Sequence, residues 1–262
     1  MKRLIAALLF VPLVGACDDS TGPPGTAPVE LRFATVSTTS ALNAEGASLA
    51  PTAFEPEAIA IPANGGVFEI ADVQFIVSEF ELEGTETCAV TDEDGETEIE
   101  ECEFESGPHL VNLPLDGSAI SLGTNHITEG TYTFLEFEVE DLELDEDDGD
   151  DPEKQAGLAS ILTELRAVYP DFPTGASMVV SGEYVPDTGD AQPFTVYFDA
   201  EIEIEMVIAP ALEIPADDAL TINVDPSAWF TGFDLLTADG QIVEFELEME
   251  DGFVEVEIDH ED

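Results

Sequence analysis

Carboxylates are the side chains in this sequence best placed to do chemistry. Sixty Asp and Glu stand against five Lys and Arg, for a net charge of -55. Two runs gather them on glycine turns. One holds Asp145, Asp147, Asp148, Asp150 and Asp151 around Gly149; the weaker one holds Asp92, Asp94 and Glu96 around Gly95. Hard oxygen ligands on a loop are what calcium selects, so calcium is the candidate cofactor and the run at Asp145 its favoured site. Neither run fits the EF-hand register: counting back from the glycine puts Leu144 or Val90 at the first ligand position. Diffuse condensation of cations on a solvated acidic surface accounts for the same residues.

Other chemistries find less. Nucleophilic catalysis would need a Gly-x-Ser-x-Gly elbow or a free Cys beside a His, and the sequence offers neither. His109, His126 and His260 are far apart and lack the clustered spacing of a zinc or copper site. A glycosidase needs two carboxylates in separated environments, and sixty acids supply too many pairs to single one out. A carbohydrate-active enzyme is therefore the weakest of the functional readings, and no catalytic residue is named. Trp229, the only Trp, reads with Phe230 as a plug for one end of the fold. An exposed aromatic platform for a glycan is the functional alternative at Trp229.

The elements that must carry these residues follow a period of two. From Phe194 to Ile208, apolar residues at every even position alternate with Thr195, Tyr197, Asp199, Glu201, Glu203, Glu205 and Val207. That pattern predicts one long half-buried strand, with Phe198 and Ile202 at the centre of the core. Tyr132–Leu144 repeats it, with Leu135, Phe137 and Val139 opposite Glu136, Glu138 and Glu140. Val73, Phe75 and Val77 alternate before Phe80 and Leu82 take the opposite parity, which predicts a β-bulge near Ser78. Asn64-Gly65-Gly66 turns two short strands. Asp251-Gly252 predicts a closing hairpin between Val243–Met249 and Val254–Ile258. Tyr132, at a strand start, is expected to pack its ring and keep its hydroxyl wet.

One helix interrupts the strands. Asp151 is a fair N-cap, Pro152 suits the first helical position, and Leu158, Ile161, Leu162, Leu165 and Val168 recur at helical spacing until Pro170. Lys154 and Arg166 lie here, so the helix is expected to dock against acidic strands. Many alternating strands with regular turns and one inserted helix, about residues 152–169, predict an all-β fold: an antiparallel β-sandwich. The sandwich spans 29–262, with a possible subdivision into 29–150 and 175–262 around the helix.

The N-terminus reads as an address. Lys2 and Arg3 precede an apolar stretch, Leu4–Leu13, too short to span a bilayer. Val14-Gly15-Ala16-Cys17 then resembles the lipobox of bacterial lipoproteins. That resemblance implies a signal peptide over 1–16, a lipid on Cys17, a membrane partner through that lipid, and a flexible tether over 17–28. The chain after Ala16 keeps three cations, Arg32, Lys154 and Arg166, against sixty carboxylates, a net charge of -57. Such a surface excludes nucleic acid as a partner and attracts cations. An exported compartment permits a disulfide between Cys88 and Cys102, which flank the turn at Asp92–Gly95. A loop of this length stabilises by about 3 kcal/mol in the chain-entropy model.

Three further phrases carry a second resemblance: Gly107–Leu115, Glu129–Phe134 and Asp225–Phe230. Together with the lipobox, and with a Gly-x-Tyr strand motif at Gly130-Thr131-Tyr132, they resemble a broad group of uncharacterised bacterial envelope lipoproteins with a β-sandwich domain. The resemblance covers about residues 65–235. It implies an envelope-anchored, non-enzymatic protein, outer-membrane or surface-exposed, and transfers no catalytic or ligand residue.

Physical chemistry adds a solvent. At ~1 M salt the screening length falls to about 3 Å, which removes most of the repulsion between neighbouring carboxylates. At low salt, like charges opposite each other across strands destabilise a sheet. The composition therefore predicts a protein adapted to high salt, of halophilic or marine origin, with a binding or structural role. A calcium-dependent adhesion or ligand-binding module is the alternative.

Overall fold

Residues 25–36, 58–91, 97–139, 152–200, 202–216, 219–244 and 253–259 are described by the computed structural model. The chain is all-β, a sandwich of strands, with two helices among the described residues. In order the strands are β1 (Thr26–Thr35), β2 (Ile59–Ala63), β3 (Gly66–Val77), β4 (Glu79–Thr91), β5 (Thr97–Ser106), β6 (His109–Asn112), β7 (Ala119–Thr128) and β8 (Gly130–Val139). Helix α1 (Pro152–Val168) follows, then β9 (Met178–Pro186), β10 (Gln192–Asp199), β11 (Ile202–Ile214), β12 (Ala219–Val224), helix α2 (Pro226–Phe230), β13 (Ile242–Glu244) and β14 (Phe253–Asp259). Strand β1 starts inside the expected tether, at Thr26. The turn expected at Asn64-Gly65-Gly66 joins β2 to β3, and the positive φ of Gly65 (82°) is one that glycine adopts without strain.

The strands form three sheets, ordered β14-β12-β1-β7, β13-β10-β9-β3-β2 with β6 beside β3, and β11-β8-β4-β5. We name them the first, second and third sheet. Most pairs are antiparallel; β1–β12 and β10–β13 are parallel. Each sheet joins strands from both sides of α1: β1 with β12, β3 with β9, and β8 with β11. A boundary between 29–150 and 175–262 would cut all three.

The alternation from Phe194 to Ile208 is real, but it is not one strand. It divides at Ala200 into β10 of the second sheet and β11 of the third. The parity change near Ser78 has the same origin. It is not a bulge within one strand but the corner where β3 of the second sheet becomes β4 of the third. Strands that switch sheets at bends are how sandwich corners are made. Both corners are pinned by buried serines. The amide of Ser78 donates to the Glu138 carbonyl at 2.9 Å, and Ser177 Oγ accepts from the amide of Ala200 at 2.8 Å. A buried corner amide would otherwise lack a partner. Phe194, Val196, Phe198, Ala200, Ile204 and Ile208 are all buried, so the apolar face turns the corner intact. The side chain of Ile202 lies outside the described residues.

One core fills the space between the sheets. Phe33 of β1 meets Phe75 of β3 and Phe137 of β8, each edge-on with ring centroids 5.6 Å apart. A single ring thus touches all three sheets. Helix α1 covers the other face of the second sheet: Leu158, Ile161, Leu162 and Leu165 pack with Ile76, Val179, Tyr197 and Phe172. That face of β10 carries Thr195, Tyr197 and Asp199, and Tyr197 is the one buried against the helix. Burial on both faces explains the unbroken buried runs Val73–Val77 and Met178–Val180.

The docking of α1 is apolar too, against the expectation of ion pairs with strands. Arg166 Nε donates to the Phe172 carbonyl at 3.1 Å, closing the helix end, and the side chain of Lys154 lies outside the described residues. After the helix, Tyr169 donates to Asp72 of β3. The Tyr132 hydroxyl is not wet: the residue is fully buried and donates to the Thr128 carbonyl at 3.0 Å. The closing hairpin expected between Val243–Met249 and Val254–Ile258 falls largely outside the described residues. Strand β13, which holds Val243, pairs with β10, and β14 pairs with β12 in another sheet. The intervening residues 245–252 lie outside the described residues. No helix among the described residues is long and apolar enough to cross a membrane.

Candidate functional site

Among the described residues, the largest set of facing acids is on the outer face of the third sheet. Its strands bury Phe80 and Leu82 of β4, Leu135, Phe137 and Val139 of β8, and Ile204 of β11. Period two then sends the residues between them to the other face. Register lines those residues up. Glu205, Glu136, Glu81 and Glu105 stand opposite one another across all four strands. Glu203, Glu138 and Glu79 form a second row across three strands, and Glu83 faces Glu103 in a third. No Lys or Arg occurs in any of the four strands.

The carboxylates converge at the centre of this grid. Oxygens of Glu81, Glu83 and Glu136 lie within 4.8 Å of one another. Partial burial, a hydrogen bond with Glu103, and repulsion from Glu103, Glu83 and Glu136 push the Glu81 carboxyl up to about 7. Near neutral pH Glu81 therefore shares a proton with its neighbours. Three oxygens this close match what a hard cation needs from a protein, and they are equally what screening by salt relieves.

Beside the grid, β4 is irregular. Its register against β5 shifts between Glu83 and Thr87. At that shift Gly84 leaves room for Cys102, whose Cβ lies 2.5 Å from where a Gly84 Cβ would sit. Cys102 is buried and held as one half of a disulfide. Cys88 is on the neighbouring strand, paired with Glu100, and its side chain lies outside the described residues.

The remaining expected sites divide plainly. Cys17, both acidic loops (Asp92, Asp94 and Glu96; Asp145, Asp147, Asp148, Asp150 and Asp151) and His260 lie outside the described residues. Trp229 sits in α2, only 4% exposed, edge-on to Phe75 and Phe230. It cannot be an exposed glycan platform and serves as the plug. The cap of α2 is Asp225, which accepts from the Ser227 amide. His126 is exposed in β7. His109 is half-buried, with Nε2 3.1 Å from Ser106 Oγ, and burial lowers its pKa. Arg32 pairs with Glu30 of the same strand, which holds the Glu30 carboxyl below its usual range.

Sequence reasoning missed the convergence of Glu81, Glu83, Glu103 and Glu136. The alternation put each on an outward face, and that was the available signal. Nothing in one strand's pattern says which strand lies beside it.

Comparison with known proteins adds little. No family model matches the chain, and no curated protein matches it. One solved structure that is similar is MbnP from Methylosinus trichosporium, at 13% identity over 86% of this chain and 82% of that one, with a TM-score of 0.34. A likeness that slight carries no argument.

Proposed function

We propose that this chain is a lipid-anchored, strongly acidic protein of the bacterial cell envelope, without catalytic activity, serving a binding or structural role in concentrated salt. The observation that carries the salt adaptation is the grid. Nine glutamates stand opposite one another in the strand register, and the four strands themselves contain no Lys or Arg, an arrangement that like-charge repulsion penalises unless ions screen it. The envelope address rests on the lipobox-like stretch ending at Cys17 and on the resemblance to envelope lipoproteins, which favours the outer membrane or the surface. The membrane is met through lipid on Cys17, and cations are the remaining partner. The export route suits a disulfide, and Cys88 on the strand beside Cys102 is its proposed partner.

Melting curves in NaCl and in CaCl2 at matched ionic strength test the reading. The melting temperature should rise steadily between about 0.1 and about 1 M NaCl as screening lengths shorten. A melting temperature indifferent to NaCl removes the salt adaptation. A Cys17→Ser variant should move from the membrane to the soluble fraction; unchanged fractionation removes the anchor. Alkylation with and without reduction, read by mass, checks Cys88 against Cys102.

The close approach of Glu81, Glu83 and Glu136 favours a second reading, a calcium-dependent binding module. Stabilisation by CaCl2 beyond that of NaCl, lost in Glu81→Gln, would assign the ion to the grid. Loss on changing Asp145, Asp147 and Asp150 to Asn would assign it to that loop instead. Equal curves in the two salts remove specific calcium binding.

A further inference from the structure

Among the described strands, every sheet edge but one is blunted by charge, proline or brevity, β6 (four residues) by the last. An edge strand offers unpaired backbone groups to any other strand, and carboxylates, prolines or brevity blunt it. Strand β5, an edge of the third sheet, carries Glu98, Glu100, Glu101, Glu103 and Glu105. Its opposite edge, β11, carries Glu203, Glu205 and Glu213 together with Pro210. Strand β14 carries Glu255, Glu257 and Asp259. In the second sheet, β13 has three residues, one of them Glu244, and β2 has five with Pro62.

Strand β7 has none of these devices. It is ten residues long, Ala119–Thr128, and contains no carboxylate, Lys, Arg or Pro. It is the edge of the first sheet, paired on one side with β1, and no described strand pairs with its other side. Ala119, Ser121, Gly123, Thr124 and His126 are exposed. β7 carries one bulge, where Leu122 is left unpaired between Ser121 (opposite Arg32) and Gly123 (opposite Leu31), but the run from Thr124 to Thr128 beyond it pairs regularly with Thr26–Glu30 and keeps a straight edge. In a chain with sixty acids, β7 thus contributes none of its own to this edge, where Glu30 of β1 reaches it only at Ser121, through a hydrogen bond.

We propose that β7 is an interface between two copies of this chain, which pair through it as antiparallel strands about a two-fold axis. A two-fold contact sets the same surface against itself, so each residue of the patch meets a residue of the same patch. On β5, β11 or β14 that would put carboxylates against carboxylates, which is destabilising. On β7 it puts Ser, Thr, Asn and Ile against their like, and main-chain hydrogen bonds supply the affinity, as in other strand additions. The net charge still opposes association from a distance, so the dimer forms when salt screens it. Another polypeptide's strand would have no need of a self-complementary edge.

Sedimentation of the purified protein over a concentration series, at about 0.1 and about 1 M NaCl, tests this. A monomer–dimer equilibrium is expected in the high salt. His126→Glu, alone and with Thr124→Glu, gives β7 the charge of the other edges and should weaken association at least about tenfold. Melting curves check that these variants fold. If they do not, hydrogen exchange of the unchanged protein replaces them: amides of β7 should slow with concentration in high salt. A monomer at every concentration, a dimer indifferent to the substitutions, or exchange at β7 indifferent to concentration overturns the proposal. The dimer is read separately from the melting temperature, so its failure leaves the salt adaptation standing, and the reverse.

Discussion

Glu81 and Glu136 stand directly opposite each other across β4 and β8, and with Glu83 their oxygens lie within 4.8 Å. Burial of Glu81, its hydrogen bond with Glu103 and repulsion from Glu103, Glu83 and Glu136 together favour a proton on Glu81, whose pKa is pushed up to about 7.

That proton makes stability depend on pH. Unfolded, the Glu81 carboxyl titrates near 4.5; folded, near 7. Between those values the folded state binds the extra proton, so the contribution of Glu81 is most favourable below pH 4.5 and is lost as pH rises through 7. The full shift is worth roughly 3 kcal/mol, and solvent around this partly exposed group reduces it to about 1 kcal/mol. Glu81→Gln should stabilise the protein by about 1 kcal/mol at pH 8 and leave it unchanged at pH 4. Denaturant midpoints at the two pH values check this. A variant no more stable at pH 8 would mean that the repulsion is relieved elsewhere.

Phe33 tests whether one core serves the whole fold. It is fully buried between Phe75 and Phe137, which belong to the other two sheets. Phe33→Ala should cost about 3–5 kcal/mol through lost burial and the cavity left behind. Unfolding should stay a single transition by circular dichroism and by fluorescence. Two separated transitions would point to independent halves.

Tyr132 closes the step from β7 to β8 by donating to the Thr128 carbonyl. Tyr132→Phe keeps the ring and leaves that carbonyl without the donor, at a cost of about 1–2 kcal/mol. Denaturant unfolding checks it; a neutral result would mean that the carbonyl finds another donor.

Trp229 provides an optical check, because it is the only Trp in the chain. Packed against Phe75 and Phe230, it should emit to the blue of free indole and resist quenching by acrylamide, which carries no charge. Emission like that of indole in water, readily quenched, would contradict the packing. Unfolding in denaturant should shift it to the red.

Much of this molecule was legible residue by residue. The strand faces at Phe194–Phe198, Leu135–Val139 and Phe80–Leu82 follow from a period of two, and α1 from its N-terminal Pro152 and helical spacing. The turn at Gly65 follows from its residue types. The corners were less legible. A parity change at Ser78 is equally a bulge or a change of sheet, and Ala200 interrupts the alternation at all neither in parity nor in polarity. Only the pairing that puts β3 and β10 in one sheet and β4 and β11 in another distinguishes a corner from a continued strand.

By itself, then, the sequence determined the all-β class, the helix, the acidic skin and the face on which each glutamate lies, because these depend on neighbours within a few residues. The tertiary structure decided which strands adjoin. It brought Glu81 of β4 beside Glu136 of β8, enclosed Trp229, and left β7 as an uncharged edge. The physical reason is that alternation encodes a face and not a partner: partners are chosen by the packing of distant apolar faces into one core, around Phe33.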